Sequence, residues 1–339
     1  MGHVLKRSHL IRWFIIVVLL ALVAAGGMGI SSSSAARNLP LTYTTHLIHA
    51  GQRPEPVFAD PAHHRVYIGY EHSGDVAVID DRTDQVLKTI RTGKEVEDLA
   101  FDAGANRLYV ANRTSNSVSV IDTRGLRLIR TISTPGPAGI ALDPALKHLY
   151  VASARAIAVI DTQSGRRLFL AATPASPQAA GVDPATHEVF IALQKANVLL
   201  VMDGSSFKTI TTIPVGQLPV HPIRIDSRRH RVYVVNSGSS SLSVINSRTL
   251  RVVQRIPTGA HPEGLWVEPS THRAFVSNEG DPGTDKNHGH TVSVIDLRSG
   301  RTIATLPTLL GPDGVAYDRA AGKVYVDDEN SGAVSAITF

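Results

Sequence analysis

Seven acidic residues recur along this chain at nearly even intervals. Five positions before each of them stand Glu55, Glu97, Ala138, Gln178, His221, Glu263 and Asp313. If the repeats are related by rotation, these side chains surround one axis near one mouth of a channel. Carboxylates brought together repel unless protons or a cation compensate them. Oxygen donors suit Ca²⁺ or Mg²⁺, and a histidine among them also admits Zn²⁺ or Mn²⁺. The plainer alternative is a solvated polar residue that merely opens a strand.

Two further groups invite chemistry. Residues 279–291 lengthen one repeat by about eight positions relative to its siblings. There His288 and His290 have the alternate spacing that puts both rings on one side of an extended chain, with Glu279, Asp281 and Asp285 beside them. Such a loop fits metal ligation or acid–base work, or else is an ordinary polar loop. Residues 217–259 hold seven arginines, including Arg224, Arg228, Arg229 and Arg231, against Asp226 alone. That blade either docks an anionic partner or presents a solvated edge whose charges deter strand pairing.

The elements that must carry these residues are legible in an acid-to-aromatic interval of seven positions. Asp60/Tyr67, Asp102/Tyr109, Asp143/Tyr150, Asp183/Phe190, Asp226/Tyr233, Glu268/Phe275 and Asp318/Tyr325 all obey it, with acid-to-acid steps of 42, 41, 40, 43, 42 and 50 residues. Within one repeat, Gly139-Ile140-Ala141-Leu142 runs into Asp143-Pro144, a turn signal, and Leu149-Tyr150-Val151-Ala152 follows as a strand apolar throughout. Two more strands complete the unit. Four antiparallel strands at a period near 40 describe a propeller blade. The predicted fold is therefore all-β, a seven-bladed β-propeller over residues 40–339. The last repeat stops after its third strand, and residues 41–51 read as an orphan fourth strand that closes the final blade.

Composition narrows the function classes. Of the 34 Lys and Arg, four (Lys6, Arg7, Arg12 and Arg37) lie in residues 1–37, which carry no acid, leaving 30 against 29 acidic residues in the rest. A nearly neutral body with no interleaved aromatic pattern argues against nucleic acid as partner. With no cysteine, thiolate chemistry, disulfides and lipobox anchoring are excluded. The sequence has no Gly-x-Ser-x-Gly elbow, phosphate loop or His-Glu-x-x-His. Lys6, Arg7 and Arg12 precede an uncharged run from Trp13 to Ile30, and small residues follow at Ser34-Ala35-Ala36. Residues 1–37 thus read as a secretory signal peptide or as a retained membrane anchor with a Ser-rich linker. Either places the remainder outside the cytoplasm, with the membrane met only through this segment.

Leu108-Tyr109-Val110-Ala111-Asn112, Val232-Tyr233-Val234-Val235-Asn236 and the Gly-x-x-Pro openings Gly51-Gln52-Arg53-Pro54 and Gly259-Ala260-His261-Pro262 resemble the YVTN (YncE-like) β-propeller repeat family. The resemblance implies an extracytoplasmic propeller, and related propellers include lactonases, metal-dependent hydrolases and lyases, and a member associated with DNA binding. The segments at 150–153 and 190–193 lack the Asn, and the sixth repeat is enlarged. The expectation is a monomer that binds a small molecule or protein through its loop face without catalysis. The alternative is a metal-dependent lactonase-like hydrolase or lyase at the channel mouth, with a divalent cation as its cofactor.

Overall fold

The second strand of each repeat is buried almost end to end, as its unbroken apolar run predicts. Tyr67, Tyr109, Tyr150, Phe190, Tyr233, Phe275 and Tyr325 are each at most 3% exposed. The computed structural model describes residues 43–49, 51–220, 222–280 and 290–338. The predicted signal or anchor at 1–37 lies outside them, as do His221, Asp281, Asp285 and His288. Among the described residues no helix is long and apolar enough to cross a membrane.

These residues form seven four-stranded antiparallel sheets. Blade one, for example, comprises Pro54–Asp60, Arg65–Tyr70, Asp75–Asp80 and Gln85–Arg91, from the inner strand outward. Each inner strand packs on the next, and the seventh (Pro312–Asp318) packs on the first, so the sheets form a closed ring. The predicted closure is present. Thr44–Ile48 pairs antiparallel with Ala333–Thr338, Thr44 opposite Thr338 and Ile48 opposite Val334. Outer strands bury little. In Gln85–Arg91 and Arg127–Ser133 only Ile90 and Ile132 reach the core.

The repeated acid and aromatic are explained by turns and seams. Asp143 Oδ1 accepts from the backbone N–H groups of Ala145 and Leu146 at 3.0 and 3.1 Å, and Asp318 Oδ1 from Ala320 and Ala321 at 2.8 and 2.9 Å. A short side chain that satisfies two turn amides specifies that turn. Beside each aromatic, the residue opening the second strand can reach the neighbouring blade. His148 Nδ1 donates to the Gly204 carbonyl (3.2 Å), and Lys323 Nζ to the Asp81 carbonyl (2.8 Å) across the ring closure.

The Asn ending the second strand is also structural. Asn236 Nδ2 donates to Ser241 O and Ser243 Oγ, and its Oδ1 accepts from Gly216 N–H, all at 3.0 Å. One buried amide thus ties the loop after its own strand to the loop entering the inner strand.

Candidate functional site at the axial mouth

Six of the seven inner strands open with a β-bulge. Register shifts fall between Pro54 and Val57, Val96 and Asp98, Pro137 and Ile140, Pro177 and Ala179, Pro262 and Leu265, and Pro312 and Val315. The predicted ring residues Glu55, Glu97, Gln178, Glu263 and Asp313 sit in these bulges. A bulge breaks the strict alternation of a strand and re-aims a side chain. All five line one concavity of about 290 Å³.

Blade five departs from the sequence register. Pro219 bridges Asn236 as Pro262 pairs with Asn278, and Leu218 precedes it at φ 50° as His261 precedes Pro262 at φ 44°. The residue equivalent to Glu263 is therefore Val220, which lines the concavity. Counting back from the acid selected His221 because it assumed an uninterrupted strand. Here the continuous inner strand spans only Arg224–Asp226, and an extra residue lies between the bridge and the strand.

Two more rings join the first. The residue four positions after each aromatic supplies Glu71, Arg113, Gln194 and Glu329, and the residue before each inner strand supplies Arg53 and Glu95. The concavity thus carries seven carboxylates against two guanidiniums. Arg113 Nη1 lies 3.0 Å from Glu97 Oε1, and Arg53 Nε 2.7 Å from Glu71 Oε2, while Arg53 Nη2 also reaches Glu329. Ser237 Oγ donates to Glu263 Oε1 at 2.7 Å.

Deeper carboxyls behave differently. Burial, then repulsion from Asp313 and Glu97, pushes Glu55 well above the usual carboxylate range. Burial, then Glu329 and Glu279, raises Asp313 to about 8. Asp327, wholly buried behind Gly314, accepts from Gly314 N–H at 2.9 Å and is raised well above its ordinary value by burial and by Asp313. The mouth therefore has guanidiniums paired with carboxylates at its rim and carboxyls that favour the proton on its floor. Among the described residues no three His, Cys, Asp or Glu form a group that could hold a metal ion.

The other predicted groups lie apart. His290 Nδ1 donates to the Leu309 carbonyl at 3.1 Å, on the seam with blade seven, and does not line the concavity. Arg224 does not join the surface arginines. It enters a small axial chamber of about 30 Å³ beneath the mouth, beside Asp98, donates Nε to the Leu265 carbonyl at 3.0 Å, and lies 5.0 Å over the Trp266 ring. Burial lowers its guanidinium to about 10, with Asp98 opposing the shift. Arg228, Arg229 and Arg231 stand around the turn at the other end of the strand.

Neither a known family model nor a curated protein sequence matches the chain. Solved structures match it in shape. Hydrazine synthase of Kuenenia stuttgartiensis aligns with a TM-score of 0.73 at 20% identity, over 87% of this chain and 97% of that one. The Cps50 (Swd1) β-propeller domain of Myceliophteria thermophila also gives 0.73, at 12% identity, over 87% of this chain and 98% of its own. At such identities the likeness establishes the fold: the chain is a seven-bladed β-propeller.

Proposed function

We propose that this chain is a YVTN-type extracytoplasmic propeller that works by binding, and that its axial mouth takes a small organic cation. The observation that carries this is the excess of seven carboxyl groups, of which Glu55 and Asp313 favour the proton, over two guanidiniums in a concavity of about 290 Å³. Low-dielectric walls focus such a field on an entering cation. The volume suits a diamine or the end of a lysine side chain. The basic leader at 1–37 supports the extracytoplasmic setting. Calorimetric titration of the purified protein with 1,4-diaminobutane tests the reading. Saturable binding weakened about tenfold by Glu97→Gln with Glu263→Gln, a loss of about 1.4 kcal/mol, is expected. Unchanged heat in that double variant removes the reading.

A second reading rests on Asp313. A carboxyl raised to about 8 is part-protonated near neutrality and suits general acid–base work. This favours a hydrolase or lyase at the same mouth. The described carboxylates do not form a ready metal site, so a divalent cation would have to recruit other ligands, His221 or the 281–289 loop among them. An esterase and lactonase screen with added Ca²⁺ or Zn²⁺ decides it. Turnover lost in Asp313→Asn supports catalysis, and no turnover with either metal ends it.

A further inference from the structure

The turns at the opposite ends of the blades frame a second charged cleft. It lies between blades five and six and holds about 520 Å³, within the range of small-ligand sites, with Arg229, Arg231, His272 and Arg298 on its walls.

The seam beside the cleft lacks a bolt found elsewhere in the ring. In four other blades the residue opening the second strand reaches the carbonyl just past the next blade's third strand. Arg65 reaches Thr123, Arg107 Thr162 (3.4 Å), His148 Gly204 (3.2 Å) and Lys323 Asp81 (2.8 Å). By that rule Arg231 should reach Leu297. Instead it folds back, Nη1 donating to the carbonyls of Arg229 and His230 at 3.2 Å each. Its remaining donors are left on the cleft wall, and Leu297 and Arg298 face them from blade six.

Charge in the cleft is only partly compensated, Asp226 being the one carboxylate on its lining. Arg229 is paired with Asp226 at 2.7 Å, whereas among the described residues Arg231 and Arg298 have no carboxylate at ion-pair distance. His272 Nδ1 is buried without a hydrogen-bond partner. Desolvation, then Arg229 and Arg298, holds its imidazole below the usual value against the opposing pull of Asp226 and Asp296.

We propose that this cleft binds a phosphomonoester dianion, either on a soluble molecule or as a lipid headgroup. Two unpaired guanidiniums match two negative charges, and each guanidinium fork can grip a pair of phosphate oxygens. The half-buried His272 ring stands on the same wall. A pocket between blades admits a terminal phosphate, whereas a phosphodiester chain needs a through-going groove.

Titration of the purified protein with glycerol 3-phosphate, and sedimentation with phosphatidic acid or phosphatidylcholine vesicles, separate the two sources. Saturable binding in either arm, weakened at least tenfold by Arg231→Gln with Arg298→Gln and retained by Arg248→Gln, is expected. Arg248 lies in the outer turn of blade five and does not line the cleft. Melting curves verify that the variants fold, as substitutions of surface arginines should allow. The proposal is overturned by no binding in either arm, by equal loss in Arg248→Gln, by indifference to the double variant, or by binding of a single-stranded oligonucleotide without the phosphomonoester. The diamine site at the other face can fail or hold independently of these results.

Discussion

Asp313→Asn isolates the floor of the mouth. Asp313 is raised from 3.8 to about 8 in the fold, so between those values the native state keeps a proton that the unfolded chain has released. Its contribution to stability is therefore fully present below pH 3.8 and is lost as pH rises through about 8. Within that window each pH unit costs about 1.4 kcal/mol, so from pH 5 to 8 the ceiling is about 4 kcal/mol. Asp313 is only partly shielded from solvent and shares its surroundings with Glu55. Water screening brings the expected effect to about 2 kcal/mol. Asparagine has no proton to lose. Urea unfolding at pH 5 should find the variant within about 0.5 kcal/mol of the native protein, and at pH 8 or above the variant should be about 2 kcal/mol more stable. A stability difference that stays flat across this range, or that shifts in favour of the native protein as pH rises, refutes the buried protonated floor.

Two further variants test the ring itself. A Cβ on Gly314 would land on Asp327 Oδ2 and on the Glu55 carbonyl, where the first and seventh blades meet. Gly314→Ala should therefore cost about 2–4 kcal/mol by urea unfolding, and a loss under 1 kcal/mol denies that close approach. Deleting residues 1–49 removes the closing strand, of which Ile48 alone is buried, and exposes the edge of Ala333–Thr338. A lower melting temperature and concentration-dependent association by light scattering are expected, whereas an unchanged melt and a monomeric protein would show that closure is dispensable.

The fold was legible because its repeat signal is made by residues with few alternatives. Asp143 must satisfy two turn amides and Tyr150 must fill a seam, so both recur at fixed spacing. The mouth was half legible for the same reason. Glu55, Glu97, Gln178, Glu263 and Asp313 follow from counting back to a bulge that recurs. The second ring, Glu71, Arg113, Gln194 and Glu329, was equally countable at four positions past each aromatic, but it needed the knowledge that this loop faces the axis. Val220 was not countable from the acid, because an extra residue separates its bridge from the strand. Leu218-Pro219 held the better signal, since a residue before Pro opens five of the other six inner strands too. Arg224 was misassigned because composition groups charges by sequence, whereas inner strands send alternate side chains towards the axis.

The graded charge of the mouth has a consequence for any cation that enters it. At the rim, Arg113 lies against Glu97 and Arg53 against Glu71, and Ser237 donates to Glu263. On the floor, Arg53 and Arg113 do not fully offset the burial of Glu55, and Glu55 and Asp313 both favour the proton. A bound ammonium group supplies that offset and lowers both affinities for protons. Binding at pH 7, below the value of about 8 for Asp313, should therefore release protons. Diamine titrations in buffers of different ionisation enthalpy would show apparent heats that change with the buffer, and the dependence should shrink in Asp313→Asn. Heats independent of buffer at pH 7 would mean that a bound cation stays at the rim and never reaches the carboxyls beneath it.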